Sequence, residues 1–321
     1  MTEPRKPGRL GVGVVGAGRV GAVLGSALRA AGHAVVGASG ISEASRERIS
    51  TLLPGVPNLT VEEVVERAEL VLLATPDDAL EGLVAGLAGV GAWQPGQLAV
   101  HTSGRYGVRV LDPARKAGAI PLALHPAMTF TGTSLDLARL EGCAFAVTAP
   151  AAALPIGQAL VVEVGGEPVV IDEDDRVLYH AGLAHGSNHL VVLVAQAAQA
   201  LEAAGVEEPG RVLAPLLSAA LDGATRAADV REGVGPGAIA ALTGPVSRGD
   251  VGTVTRHLEV LGELATRTGA TDIPASYTEL AQGATRRALA SHRIDSAAAQ
   301  ALLDALEGTP PGPAHTRKEK E

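Results

Sequence analysis

A glycine-rich stretch near the start of the chain constrains the fold more than any other feature. Its last six residues follow the pattern G-x-G-x-x-G, with glycines at Gly16, Gly18 and Gly21. The apolar run Leu10 to Val15 before it is typical of a buried strand, and the small residues Val20 to Ala31 after it favour a helix. A second apolar strand follows at His33 to Ala38. This order predicts a βαβ unit.

In such a unit each glycine has a separate purpose. Gly16 permits the tight turn, Gly18 lets the backbone approach a pyrophosphate, and Gly21 lets helix and strand pack closely. The phosphates then lie at the helix N-terminus, which begins with Arg19 and Val20. We predict a dinucleotide site from these five residues. The alternative is a tight turn that binds nothing.

The end of the second strand indicates which dinucleotide binds. NAD-binding domains usually have an acidic residue there for the ribose 2′-hydroxyl, but residues 37–42 contain none. Ser39, Ser42, Arg46 and Arg48 can instead hydrogen-bond and neutralise a 2′-phosphate. We therefore expect NADP rather than NAD, although Glu43 is a nearby carboxylate. The alternative is that the arginines only form a solvated helix face.

Composition excludes several classes of function. With 321 residues, 46% of them hydrophobic, the chain can form two domains with real cores. A net charge of −9 and an aromatic content of 2% do not suit nucleic-acid binding. The single cysteine, Cys143, excludes internal disulfides and paired-cysteine metal motifs. We expect a cytoplasmic protein without signal peptide or membrane helix, because no apolar run reaches about 18 residues.

Polar side chains follow three further predicted strands. Thr75 and Asp77 come after the third strand, Ser103 after the fourth and His125 after the fifth. The carboxyl ends of the strands in a doubly wound sheet face the ligand. We therefore expect Thr75 and Asp77 to lie along the ribose and nicotinamide of the cofactor. The alternative for Asp77 is capping of the next helix.

The sequence pattern changes at the acidic run Asp172 to Asp175. Alternating strands and helices before it predict a doubly wound, mostly parallel α/β domain over residues 1–172. Long Ala- and Leu-rich segments after it predict an all-helical domain over residues 173–308, with helices at about 176–204, 210–228, 251–268, 274–290 and 295–306. A tail rich in Pro, Gly and charge, residues 309–321, is expected to be disordered.

The first of these helices is apolar almost all round between Leu190 and Leu201. Such a helix requires burial against other helices or against a second subunit. We expect a homodimer formed through the helical domain.

Several motifs together resemble one known family. They are the glycine fingerprint, His101 to Gly104, His125-Pro126, Tyr179-His180 with Ser187-Asn188, and Thr243 to Asp250. The chain resembles bacterial Rossmann-like proteins with a C-terminal helical domain of unknown function. These are similar in build to pyrroline-5-carboxylate reductase, ketopantoate reductase, prephenate dehydrogenase and the β-hydroxyacid dehydrogenases. The resemblance implies a Rossmann domain, an all-α domain, NAD(P) chemistry and substrate binding between the two, but no particular substrate.

The acid or base group must differ from that of some of these relatives. The β-hydroxyacid dehydrogenases and ketopantoate reductases use a lysine of the helical domain, but residues 173–308 contain no lysine. Histidine is available and titrates near neutral pH. His180 and Asn188 are close to two helical turns apart, so we predict that His180 protonates the substrate and Asn188 orients it. His125 is the competing donor, and Ser103 a further polar candidate. The alternative for His180 is a structural histidine.

Two residues of the Thr243 to Asp250 motif are candidates for substrate binding. Arg248 can pair with a carboxylate or phosphate through its planar fork, and Thr243 lies in the same loop. Arg248 pairing with an acid of its own domain is the alternative. His185 and His189 have metal-ligand spacing but no matching third ligand, so we expect no metal site.

Taken together, these features predict an NADP-dependent oxidoreductase. It would transfer a hydride to the C=O or C=N group of a small carboxylate, a 2-keto or imino acid, with ketopantoate as an analogy. The alternative is a non-catalytic NADP(H)-binding sensor or regulatory dimer. Polar strand ends facing a helix with His and Asn favour the enzyme, because a sensor has no need of them.

Overall fold

The structure is a computed structural model that describes residues 9–228 and 237–308. Within these residues one sheet is formed by seven strands: β1 (Gly11–Val15), β2 (Ala34–Ser39), β3 (Leu70–Leu73), β4 (Leu98–His101), β5 (Ile120–Pro126), β6 (Ala144–Thr148) and β7 (Glu167–Val170). Their order is β2-β1-β3-β4-β5-β6-β7. Only the β5–β6 pairing is antiparallel among the described strands. The predicted mostly parallel sheet is confirmed.

Helices cover both faces of this sheet. The described ones are α1 (Arg19–Ala30), α2 (Glu43–Leu52), α3 (Val61–Arg67), α4 (Asp77–Gly89), α5 (Asp112–Lys116), α6 (Leu135–Arg139) and α7 (Leu154–Glu163). Alternate residues of β3 point to opposite faces. Leu70 and Leu72 belong to one buried apolar cluster, and Val71 and Leu73 to another. Two such clusters make the sheet doubly wound.

The C-terminal half is helical where it is described. Its longer helices are α8 (Arg176–Ala203), α9 (Pro209–Ala228), α10 (Val251–Thr268), α11 (Asp272–Ala290) and α12 (Ser296–Leu306). Their bounds agree with the predicted ones within two residues. Asp250 caps α10 by accepting a hydrogen bond from the backbone N–H of Thr253. The predicted tail, residues 309–321, lies outside the described residues.

The chain packs into two compact units that divide between Ser187 and Asn188, inside α8. The last strand ends at Val170 and α8 begins at Arg176, so secondary structure changes at the acidic run. The first three turns of α8 nevertheless belong to the sheet unit, because their side chains bond to strand ends. The compact unit therefore extends beyond the change in secondary structure.

The apolar face of α8 is not covered by the described residues. Val191 is 69% exposed, Val192 50% and Leu193 39%. The described residues of the chain therefore leave much of this apolar surface exposed. No helix in the described ranges is long and apolar enough to cross a membrane.

Candidate functional site

The turn between β1 and α1 has the geometry of a phosphate-binding loop. Gly16 has φ +86°, and a Cβ there would lie 2.7 Å from the carbonyl oxygen of Ala74. A Cβ on Gly21 would overlap the carbonyl oxygen of Gly16. Gly18 differs, because no described atom lies within 4 Å of an added Cβ. Two glycines are thus required by packing, and the third borders open space at the start of α1.

The start of α1 can accept an anion. Gly18 is its N-cap and supplies no side-chain hydrogen bond, and the first turn begins with Arg19 and Val20. Uncapped N–H groups at a helix N-terminus attract negative charge. The backbone N–H groups of Gly16 and Ala17 are used differently, since they donate to the carbonyl oxygen of Ser39. That contact joins the loop to the end of β2.

The side chain of Thr75, which follows β3, lies at the same edge of the sheet as the glycine loop. Its hydroxyl oxygen is the buried side-chain atom without a hydrogen-bond partner among the described residues. An unsatisfied buried hydroxyl costs about 1–3 kcal/mol. Thr75 borders the glycine loop, because a Cβ on Gly16 would lie 3.2 Å from its Cγ2. The open space at Gly18 and the unpaired Thr75 hydroxyl fit a bound dinucleotide.

The predicted 2′-phosphate residues have local contacts. The Nη1 of Arg46 donates to the carbonyl oxygen of Ile41, and that of Arg48 to Ala44 at 3.1 Å. Ser42 caps α2 by accepting from Ser45. The Ser39 side chain is nearly buried. Ser39, Arg46 and Arg48 thus border the end of β2 and the start of α2, as the sequence predicts, and their contact with a cofactor stays a prediction.

Asp77 is the first residue of α4 and does not cap it, because Pro76 occupies the N-cap position. Its carboxylate lies 3.4 Å from Nε of Arg105 in a partly exposed ion pair. The capping alternative for Asp77 is therefore wrong, and the side chain lies at the carboxyl edge of the sheet.

His125, near the end of β5, forms an aromatic cluster with Tyr179 and His180 of α8. Nδ1 of His125 lies 3.0 Å from the hydroxyl of Tyr179. The ring of His180 is perpendicular to that of His125, with 6.3 Å between centroids. A Cβ on Gly104 would lie 2.6 Å from Cδ2 of His180 and 3.0 Å from Nε2 of His125. The loop after β4 therefore needs glycine at position 104, because a larger residue would collide with the rings of His125 and His180.

A buried arginine lies behind this cluster. Arg176 is fully buried at the start of α8. Its guanidinium donates to the hydroxyl of Thr148 and to the carbonyl oxygens of Ser103, Ala123 and Ala146, at 2.8 to 3.3 Å. These acceptors follow or belong to β4, β5 and β6. Arg176 thus fixes the beginning of α8 against three strands.

Burial controls protonation in the cluster. It lowers the pKa of His125 to about 4, with further lowering by the positive charge of Arg176 and by the neighbouring His180, and an opposing effect of Asp77. Burial raises the pKa of Tyr179, with Arg176 acting in the opposite sense. At neutral pH the arrangement is a neutral imidazole hydrogen-bonded to a protonated phenol.

His101 and Ser103 have structural contacts. Nδ1 of His101 accepts from the backbone N–H of Ser103, so its other nitrogen carries the proton and donates to Gly107 at 2.8 Å. Burial lowers the pKa of His101 to about 4. Ser103 Oγ accepts from the backbone N–H of Tyr106. His101 thus stabilises the turn after β4, while Ser103 as a catalytic residue stays a prediction.

The other predicted substrate residues belong to the helical unit. Asn188, Thr243 and Arg248 are exposed. Arg248 ends a short 3₁₀ helix, and no carboxylate of the described residues lies within 4 Å of it. In the described ranges no group of three or more His, Cys, Asp or Glu side chains could hold a metal ion.

Two residues of the cluster were missed by the sequence analysis. Tyr179 was noted only as part of a family motif, and Arg176 only as the start of a helix. The available signal was an arginine and a tyrosine one turn apart at the start of a long apolar helix. Charged side chains are rarely buried unless they are paired, so the residue type alone did not indicate a buried arginine.

Two family models match consecutive parts of the chain and divide it between residues 126 and 143, inside the sheet unit. Residues 2–126 match the Rossmann-like domain family, and residues 143–284 match a domain of unknown function, DUF2520. The chain pairs a Rossmann-like domain with a DUF2520 domain. A search of curated proteins gives no match.

Solved structures of similar fold cover nearly the whole chain. A candidate NADP oxidoreductase from Bacteroides fragilis is 21% identical, with a TM-score of 0.65 over 86% of this chain and 98% of its own. A protein from Thermotoga maritima is 20% identical, with a TM-score of 0.63 over 88% and 99%. An imine reductase from a Pseudomonas species is 17% identical, with a TM-score of 0.60 over 93% and 100%. These likenesses establish the fold of this DUF2520 protein.

Proposed function

We propose that this DUF2520 protein is an NADP-dependent oxidoreductase that reduces the C=O or C=N group of a small 2-keto or imino acid. Structures of similar fold include a candidate NADP oxidoreductase and imine reductases, one of them in complex with NAD+. The observation that carries the proposal is the chemistry along one sheet edge. The phosphate loop follows β1, the unpaired Thr75 hydroxyl follows β3, and His125 with Tyr179 lies at the end of β5.

When bound, a nicotinamide cofactor supplies the hydride. The residues of this chain then have to hold the cofactor and provide a proton. Gly16, Gly18 and Gly21, with Arg19 and Val20, would hold the pyrophosphate at the start of α1. The Thr75 hydroxyl would donate a hydrogen bond to the cofactor, and the Asp77 carboxylate would accept a hydrogen bond from the cofactor, as the sequence suggests.

The proton donor is proposed to be Tyr179 rather than His180. Tyr179 keeps its proton at neutral pH, and Nδ1–H of the neutral His125 ring can donate a hydrogen bond to the phenolate that is left after proton transfer. The partly exposed phenolate then regains its proton from water. His180 was the choice from sequence, and its ring packs against Gly104 and beside His125. His180 is proposed to line the site and remains the competing proton donor.

Substrate orientation is assigned to the helical unit. We keep Asn188, Thr243 and Arg248 as candidates, with Arg248 as the partner of a substrate carboxylate. Its charge acts on Asp250, but no carboxylate of the described residues lies within 4 Å of its guanidinium. A homodimer through this unit is proposed as well, since the exposed apolar side chains of α8 need a partner surface.

A screen of small 2-keto and imino acids for NADPH oxidation tests this proposal. With the best substrate, Tyr179→Phe should lower kcat by about 10²–10⁴-fold and leave NADPH affinity nearly unchanged. Tyr106→Phe is the matched control, because that hydroxyl only accepts from exposed Arg105. Full activity of Tyr179→Phe together with loss in His180→Ala would assign the proton to His180.

A further inference from the structure

Asp136 is a buried charge that the proposed chemistry does not use. Its side chain is fully buried, although it belongs to the short helix α6. It accepts hydrogen bonds from the backbone N–H groups of Thr131 and Gly132, at 2.8 and 2.7 Å, and from the Thr131 hydroxyl at 3.0 Å. Arg139, its ion-pair partner, is exposed and 3.4 Å away. The carboxylate therefore fixes the turn of residues 131–133.

These hydrogen bonds also keep Asp136 ionised. Burial opposes the charge, but donors from Gly132 and Thr131 lower the pKa of Asp136 below its ordinary value. A charged acceptor gives stronger hydrogen bonds than a neutral one. The turn is held rigidly for this reason.

The tip of the turn lies between two arginines. Gly132 has φ +81°, and a Cβ there would lie 2.8 Å from Nε of Arg48 and 2.9 Å from Cγ of Arg19. It would also lie 3.1 Å from the Cα of Arg19, the first residue of α1. Both side chains thus converge on one backbone position next to the phosphate loop.

The two arginines bring uncompensated positive charge to this position. Within the described ranges neither Arg19 nor Arg48 has a carboxylate within 4 Å. The N-terminus of α1 adds a partial positive charge beside Arg19. A dianionic phosphomonoester matches two guanidinium groups, because each can bind phosphate oxygens in a fork.

We infer that the 131–133 turn, anchored by Asp136, positions Arg19 and Arg48 to bind the 2′-phosphomonoester of the cofactor, and that this turn determines the preference for NADP over NAD. The inference rests on the proposed function and revises its details. Arg48 replaces Arg46 as the main partner, because the Arg48 guanidinium lies together with Arg19 beside Gly132. Asp136 and Gly132 are positioning residues, and neither was suggested by the sequence.

The test uses nucleotides that lack nicotinamide. Adenosine 2′,5′-bisphosphate carries the 2′-phosphate and 5′-AMP does not, so the ratio of their dissociation constants isolates the proposed contact. For the wild-type protein we expect the bisphosphate to bind at least about tenfold tighter. Arg48→Gln should lower that ratio about tenfold and leave the affinity for 5′-AMP unchanged.

Gly132→Ala tests positioning without removing charge. Its methyl group would displace the Arg48 guanidinium, so the ratio should fall about as far as in Arg48→Gln. Arg29→Gln is the control, because Arg29 lies in the last turn of α1 and bonds only to Pro54. Fluorescence of the buried Trp93 verifies that each variant is folded.

The outcomes separate this inference from the proposed function. The inference would be overturned if Arg48→Gln and Gly132→Ala weakened the binding of the bisphosphate and of 5′-AMP equally. It would also be overturned if neither variant changed the affinity for either nucleotide. A larger decrease of the affinity ratio in Arg46→Gln than in Arg48→Gln would also overturn the inference. If the wild type oxidises NADPH and NADH equally well, the oxidoreductase stands and the inference falls. If the Arg48-dependent ratio is found without any hydride transfer, the inference stands and the oxidoreductase falls.

Discussion

Nη2 of Arg176 donates a 2.8 Å hydrogen bond to the carbonyl oxygen of Ala123, two residues before His125. The bond joins the first residue of α8 to the strand that presents His125. Tyr179 follows Arg176 by about one helical turn, so the same bond helps to set the contact between Tyr179 and His125. The buried cation also contributes to the low pKa of His125. One arginine thus affects both the position and the protonation of the proposed acid pair.

Removing this guanidinium should destabilise the sheet unit strongly. Arg176→Met leaves four acceptors without their donor, and an unsatisfied buried acceptor costs about 1–3 kcal/mol. We expect a loss of at least about 3 kcal/mol in the free energy of unfolding, measured by urea titration with Trp93 fluorescence. Trp93 is the only tryptophan of the chain and is buried in this unit.

Arg109→Met is the matched control for that experiment. Arg109 forms an exposed ion pair with Asp174, and such pairs contribute about 0–1 kcal/mol. Equal losses in the two variants would mean that the Arg176 hydrogen bonds contribute little.

Two histidines with lowered pKa values should make the sheet unit sensitive to acid. The pKa values of His101 and His125 are lowered from 6.5 to about 4 in the folded protein. Between these values the unfolded chain binds protons that the folded chain does not, so stability is full above pH 6.5 and falls as the pH falls. The loss should be about 2 kcal/mol per histidine between neutral pH and pH 5.

His101→Gln should weaken this pH dependence, because glutamine does not titrate. Urea titrations at several pH values should give a slope about half that of the wild type. The control is His292→Asn, an exposed residue with φ 56°, a conformation that asparagine tolerates. An unchanged slope in His101→Gln would contradict the assignment of His101 as a buried neutral residue.

Replacement by alanine should reduce nucleotide binding at Gly18 and the stability of the fold at Gly21. Gly18→Ala adds a methyl group in open space, so the fold should persist while the dinucleotide is excluded. Gly21→Ala overlaps the Gly16 carbonyl oxygen and should destabilise the sheet unit by about 1–3 kcal/mol. Nucleotide binding and Trp93 unfolding measure the two effects separately. If Gly18→Ala binds NADPH as tightly as the wild type, the phosphates do not lie at this loop.

The exposed face of α8 should hold two copies together. Val191→Asp introduces a charge where the dimer requires an apolar contact, so light scattering at micromolar concentration should detect a shift from dimer to monomer. Val90→Asp changes an exposed valine at the end of α4 and should leave the dimer intact. A wild-type protein that is a stable monomer under these conditions would refute the dimer.

Local patterns in the sequence predicted most of the fold. Thr60 and Glu63 form a capping box with both of its hydrogen bonds, and Asp250 caps α10. These features depend on residues three or four positions apart, so their spacing is visible in the sequence. The α/β order followed in the same way from the apolar periodicity.

The site was harder to predict because its partners are far apart in sequence. Tyr179 meets His125 across 54 positions, and Arg176 reaches Ser103 across 73. A single sequence contains no sign of such pairings. The Gly132 turn is also a tertiary feature, since its neighbours Arg19 and Arg48 lie on α1 and α2. Residue types indicated the edge of the sheet, but not which side chains meet there.

A fluorescence titration of the wild-type protein with NADPH and with NADH tests the central claim most directly, namely that the glycine loop and its neighbouring arginines hold NADP. The account predicts that NADPH binds at least about tenfold tighter, which corresponds to about 1.4 kcal/mol. Equal affinities, or no binding of either nucleotide, would contradict it.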